Sequence, residues 1–267
     1  MTIEQLAIHD QHNRPLNQAD LDYFALGQHE NPKFFSRLGA PNFANCTVLD
    51  VGCGHGSVCV DVAKAGAKRV IGFDLDQDRI EFAQKNLHIN FPELVGRVEF
   101  RCELFNTAPD GVADYVIAKD TFEHVVGLPE LLHDIRQKLK VGGRLLAGFG
   151  PLWNSLMGDH QRCKMPIPFG HVLVPEPLLV KWINVFRFTD KIRSIHDLGL
   201  SKLSLAEYKH IFANSDLTPI FFQVNCSDRL MSRVWTQLAK FKPLEEYFSH
   251  NIYCVMEKGV EKREVAT

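Results

Sequence analysis

Between Asn45 and Gly150 short apolar runs alternate with amphipathic stretches, and few folds accept that rhythm. "CTVLDVG", "RVIGFD", "RVEFRCE", "ADYVIAKD" and "GRLLAGFG" read as five strands. "GSVCVDVAKAGA", "DQDRIEFAQKNLHIN" and "LPELLHDIRQKLKVGG" read as the helices between them, the last stopping at its glycines. Strands separated by helices have to return alongside one another, which gives a mostly parallel sheet with helices on both faces. Ligands of such sheets lie at the carboxyl ends of the strands.

The flanks are less regular. "NQADLDYFALG" starts at a candidate Asn17 cap, and "PKFFSRLG" is a second helical piece with a glycine stop. After Gly150 the stretch to about residue 200 is rich in proline, aromatic residues and histidine, with one short helical pattern in "PEPLLVKWINVF". Regularity returns with a Ser-capped helix in "SLAEYKHIFANSD", the strand "LTPIFFQVN", a helix in "RLMSRVWTQLAKF" and a last strand "NIYCVMEK". The expected layout is one domain: a helical cap over 1–44, a core over 45–150, an insertion over 151–200, and 201–267 completing a seven-stranded sheet. The charged end "GVEKREVAT" is expected to fray.

Composition narrows the function classes. A chain of 267 residues with 45% hydrophobic and 23% charged residues can bury a full core without a partner. No apolar run approaches the roughly 20 residues of a membrane-spanning helix, and the first residues lack a signal or transit pattern, so a cytoplasmic protein is expected. A formal charge of -2 without a basic block argues against a large nucleic-acid footprint. Seven scattered cysteines with no CxxC pair indicate neither a disulfide framework nor a zinc knuckle.

The stretch "VLDVGCGHGSVCVD" carries the most chemistry. Gly52, Gly54 and Gly56 are spaced GxGxG, whereas a nicotinamide-binding turn would place its third glycine where Ser57 stands. Asp50, two residues before the loop, would repel a pyrophosphate and attract an ammonium group. Asp74 ends the second strand, where a carboxylate can accept ribose hydroxyls or simply cap the helix that follows.

With "VLDVGCGHG", "VIGFDLD", "VEFRCELF", "DYVIAKDTFEHV" and "LKVGGRLLAGFGP" in that order, the chain resembles the class I S-adenosylmethionine-dependent methyltransferases over about Asn45 to Pro151. The resemblance implies their Rossmann-like fold, with S-adenosyl-L-methionine held by Asp50, Gly52, Cys53, Gly54, Gly56, Asp74, Leu75, Glu103, Leu104 and Asp120. It places Asp50 and the glycines under the methionine part, Asp74 at the ribose, Glu103 and Leu104 at the adenine, and Asp120 near the amino-acid end. Cys53 and His55 read as spacers, His124 as structural, and Tyr23 or Phe24 as contacts if the N-terminal cap closes over the cofactor.

The acceptor is less defined. His160, beside Asp159, and His171 lie in the insertion where this family often builds substrate sites, and they are the candidate catalytic bases against a reading as ordinary loop histidines. Trp153, Phe169, Trp182 and Phe186 suit a lid over a small acceptor, or one amphipathic helix packed on the sheet. His160, Cys163 and His171 match no metal-ligand spacing, so no metal is expected. "KDTF" departs from the proline-bearing signatures of DNA methyltransferases. The expectation is methyl transfer to oxygen or nitrogen of a small molecule, with a protein or RNA acceptor, or a non-catalytic sensor or partner subunit, as alternatives.

Overall fold

A computed structural model describes residues 15–188, 190–226 and 230–260. Most of the charged end expected to fray, residues 261–267, lies outside the described residues. Seven strands form one sheet in the order β3-β2-β1-β4-β5-β7-β6, and the chain divides into two compact units between Thr107 and Ala108.

In the first unit, β1 (Thr47–Val51), β2 (Arg69–Asp74) and β3 (Val98–Cys102) pair in parallel. The near-continuous apolar runs of β1 and β2 are buried, as a strand covered on both faces requires, while β3 at the sheet edge buries only alternate residues. Helix α2 (Ser57–Lys64) follows the glycine loop, and α3 (Gln77–Asn90) begins at Asp76, whose side chain accepts from the Arg79 amide.

The N-terminal segment, expected to be helical and mixed, is regular over most of its described residues. It is a single helix, α1 (Gln18–Arg37), capped by Asn17 as foreseen, and it runs through Pro32. Proline removes a backbone bond from a helix interior, at a cost of about 3 kcal/mol. Tertiary contacts beside the break offset it: Gln28 and Asn31 both donate to the Asp61 carboxylate on α2 at 2.7 Å, and Phe24 and Phe34 are buried.

In the second unit, β4 (Ala113–Lys119) and β5 (Leu139–Phe149) are parallel, while β7 (Ile252–Glu257) runs antiparallel to both β5 and β6 (Thr218–Val224). Helix α4 (Leu128–Lys138) ends earlier than its glycines suggested. "LKVGG" belongs to β5, where the register with β4 shifts between Ala113 and Tyr115. Gly142 at φ +77° accommodates the extra residues, and a Cβ on Gly143 would sit 2.8 Å from the Ala113 carbonyl oxygen.

Residues 151–200 carry α5 (Gly170–Leu173) and α6 (Glu176–Val185) around a small core of Cys163, Leu179, Ile183, Ile192, Ile195 and Leu198. Trp182 and Phe186 meet edge to face on the outer side of α6 and stay partly exposed. Helices α7 (Leu205–Ala213), α8 (Leu230–Leu238) and α9 (Lys242–Phe248) complete the described chain. No helix among the described residues is long and apolar enough to cross a membrane.

Candidate functional site

The glycine loop is built by its neighbours. Gly52, Gly54 and Gly56 have φ of 71°, 51° and 82°, the left-handed region open chiefly to glycine. The amides of Gly52 and Cys53 donate to the Phe73 carbonyl at the end of β2, and the Gly56 amide turns back to the Cys53 carbonyl. A Cβ on Gly56 would lie 2.5 Å from the Phe100 ring, so α2 can start this close to the sheet only from glycine. Gly72 on β2 serves the same close approach, since a Cβ there would press on the sulfurs of Cys53 and Cys59 at 2.8 Å.

Asp74 sits where the sequence placed it and fastens the loop. Its Oδ2 accepts the Gly54 amide at 2.8 Å and its Oδ1 the Asp76 amide at 3.0 Å. Each carboxylate oxygen has a second lone pair, so the group can still accept hydroxyls. Leu75 and Leu104, at the ends of β2 and β3, are 69% and 59% exposed, unusual for leucine beside a core and suited to a planar base. Glu103 is exposed and accepts the Thr107 hydroxyl at 2.9 Å.

Asp50 is buried, and the Cys59 thiol donates to it at 3.3 Å. Burial pushes the Cys59 thiol well up, so it stays protonated as a donor. His55 reaches Asp20 on α1 at 3.1 Å and packs on Tyr23 and Phe82, while Phe24 is buried against Phe82 and Phe91.

The second unit holds a different arrangement. Past β4, Asp120 takes φ +51°, its amide donating to the Gly148 carbonyl. The next turn, Phe122–His124, carries Glu123, which is 4% exposed. Glu123 Oε1 accepts the Gly150 amide at 3.1 Å, and its Oε2 is buried with no hydrogen-bond partner. Burial, then the nearby Asp120 charge, raise its carboxyl to about 8.

Beside it stand His124 and His160, their rings 5.1 Å apart. His160 is at φ +49°, a strained backbone for a residue with a Cβ, and its Nε2 is buried without a partner. Burial, with the neighbouring His124 and Arg162 charges, lowers His160 to about 4. Asp159 accepts the amides of Gln161 and Cys163 and so shapes the turn that presents it.

His171 is placed elsewhere. It is buried, its Nε2 lies 2.7 Å from the Trp153 carbonyl, and its ring meets the indole edge to face at 5.0 Å. Of the two candidate bases, His160 joins a cluster of titratable groups and His171 joins the packing of the insertion. Sequence reasoning missed Glu123 as a site residue, although "FEHV" directly after the fourth strand was the available signal.

Comparison with known proteins agrees with this geometry. Residues 42–150 match a methyltransferase domain model. The ribosomal protein L11 methyltransferase of Pelobacter propionicus is 32% identical over 130 residues, covering 46% of this chain and 40% of that protein. The chain spans less than half the length of the curated relatives it matches here. Among solved structures, geranyl diphosphate C-methyltransferase from Streptomyces coelicolor A3(2) aligns with a TM-score of 0.57 at 16% identity, covering 86% of this chain and 79% of that one. Haemonchus contortus phosphoethanolamine N-methyltransferase 2 gives 0.57 at 17%, covering 87% and 53%.

The fold is the Rossmann-like one of class I methyltransferases. Over residues 42–150 the chain is similar to the methyltransferase domain family.

Proposed function

We propose that the chain binds S-adenosyl-L-methionine at the Gly52–Gly56 loop and transfers its methyl group to oxygen or nitrogen of a small molecule. The observation that carries the reading is the tie between Gly54 and Asp74, which fixes a glycine backbone beside a carboxylate, with two exposed leucines at the adjoining strand ends. Those parts suit the donor in turn: backbone for the methionine portion, the Asp74 carboxylate for the ribose hydroxyls, Leu75 and Leu104 for the adenine face, and Glu103 for its amino group. Asp50, Cys53 and Asp120 keep the roles the resemblance gives them, as part of this proposal.

When bound, the sulfonium supplies a methyl group already activated for displacement. The chain's contribution is alignment and exclusion of water, and alignment alone is worth up to roughly 7–11 kcal/mol in ideal cases. His160 is the residue to test as a base because its Nε2 faces no protein partner. An imidazole held at about 4 is neutral at pH 7 but a weak base, so an oxygen acceptor would need further activation. His171 is assigned positioning of the insertion through Trp153. No disulfide joins the seven cysteines, which suits a cytoplasmic protein.

A protein acceptor is the second reading, supported by the similarity to ribosomal protein L11 methyltransferases. Incubation with methyl-labelled S-adenosylmethionine and size-fractionated cell extract separates them. Label in a small product supports the main reading, label in a protein band supports the second, and tight binding without turnover would replace both with a sensor.

A further inference from the structure

Three side chains past the end of β4 and in the turn after β5 form a set of which methyl transfer as proposed above draws on His160 alone. Glu123, His124 and His160 each bring one potential ligand atom to a common place, and those atoms lie within 4.8 Å of one another. Two of the three residues also carry a polar atom that the protein has buried and left without a hydrogen bond, Glu123 Oε2 and His160 Nε2. A lost bond of this kind costs about 1–3 kcal/mol, and native chains keep such groups where something else satisfies them.

The orientation of the rings is more informative still. His124 Nδ1 lies 2.6 Å from the Gly199 carbonyl oxygen, which can only accept, so Nδ1 carries a proton. His160 Nε2 is buried and has no hydrogen-bond partner. The His124 ring thus rests one nitrogen on a backbone carbonyl. That outer arrangement is characteristic of metal-ligating histidines.

Glu123 is oriented likewise, with Oε1 on the Gly150 amide and Oε2 turned into the cluster. Asp120 adds negative charge next to it. A competing reading as a hydrogen-bonded core triad fails because the two atoms such a triad would join have no partner.

We propose that Glu123, His124 and His160 bind one divalent transition-metal ion through a carboxylate oxygen and two Nε2 atoms. Imidazole donors favour zinc, iron, nickel or copper over magnesium or calcium, and two histidines with one carboxylate leave coordination positions for an exogenous oxygen ligand. Bonds of about 2.0–2.2 Å bring tetrahedral ligand atoms to about 3.4 Å apart, so the three groups close by roughly an ångström on binding. Cys163, the thiol nearest in sequence, is outside the set: it is buried in the apolar core of the insertion.

The test uses full-length protein without a histidine tag, stripped with chelator and titrated with Zn²⁺ by calorimetry and with Co²⁺ by visible absorption. One ion per chain is expected, with a Co²⁺ ligand-field band and two paramagnetically shifted imidazole N–H resonances. Glu123→Gln and His160→Asn should each weaken binding at least 100-fold, while His171→Asn leaves it unchanged. No stoichiometric binding, a bound Co²⁺ that shifts no imidazole signal, or variants that bind as well as the wild type would overturn the assignment. The resonances are read on the wild type, so a variant that fails to fold does not decide the matter. S-adenosylmethionine affinity, measured on the same stripped protein, reports separately on the methyltransferase reading.

Discussion

The glycine loop and the turn at Asp159–His160 solve the same geometrical problem with opposite means. At Gly52, Gly54 and Gly56 the chain needs left-handed backbone, and glycine supplies it without steric cost. At Asp120, His160, Gln161, Lys164 and Phe169 the backbone is again left-handed, but the residues carry side chains. Strain of about 1–3 kcal/mol at each such position persists only where the surroundings impose it, and such positions gather at working sites. The loop is thus a generic cradle, tied down by Asp74 and by the sheet. The turn instead brings one side chain, His160, to Glu123 and His124.

That contrast can be broken from either side. The largest effect is expected at Gly56, where Val adds a strained backbone and a clash with Phe100: Gly56→Val should cost about 2–4 kcal/mol in urea unfolding. A wild-type midpoint would mean the loop is not wedged against β3.

Asp74→Ala comes next. It removes the carboxylate from the Gly54 amide and from any ribose, and should weaken S-adenosylmethionine binding by about 10–100-fold, or 1.5–3 kcal/mol, with the fold intact by circular dichroism. Unchanged affinity would remove Asp74 from the cradle.

Glu123 yields a pH signature in metal-free protein. Its carboxyl, raised to about 8 by burial and by Asp120, with Arg162 opposing, keeps a proton in the folded chain that the unfolded chain loses near 4.5. The stability tied to that proton is complete below about 4.5 and is lost as pH rises through about 8. Glu123→Gln should therefore remove up to about 1.4 kcal/mol of stability change between pH 6 and pH 7, read from urea midpoints with chelator present. Parallel wild-type and variant profiles would mean that Glu123 is ionised throughout.

The smallest effect is expected at Lys140, which meets Asp114 at 2.6 Å on an exposed part of β5: Lys140→Ala should change stability by less than about 1 kcal/mol. A larger loss would point to the bulge beside Gly142, which the glycines alone were assigned to hold.

Much of the first region was legible in the sequence because its signals are local. Alternating apolar runs pointed to the seven strands, Asn17 was a readable cap, and Asp74 fell at a strand end, while the cap of α3 proved to be Asp76. Where local rules misled, tertiary contact had decided the outcome. Pro32 stands inside α1, where Gln28 and Asn31 clamp the chain to Asp61. Gly142 and Gly143 read as a helix stop and instead form a bulge in β5.

The second region was legible only in part. His160 stood out as a titratable residue in an irregular segment, but its partners lie 36 and 37 residues earlier, and no spacing rule joins them. His171 was the second candidate after His160 in sequence, and in the structure its Nε2 meets the Trp153 carbonyl. Helix α9 was also missed, although Pro243 near its start is an ordinary helix-opening signal.

The account stands on the glycine loop accepting a sulfonium donor in place of a dinucleotide. Calorimetric titration of the purified chain with S-adenosylmethionine, S-adenosylhomocysteine and NAD tests this directly. The expected result is one site for each of the first two, weakened by Asp74→Ala, and no heat of binding with NAD. Saturable binding of NAD with none of S-adenosylmethionine would contradict it.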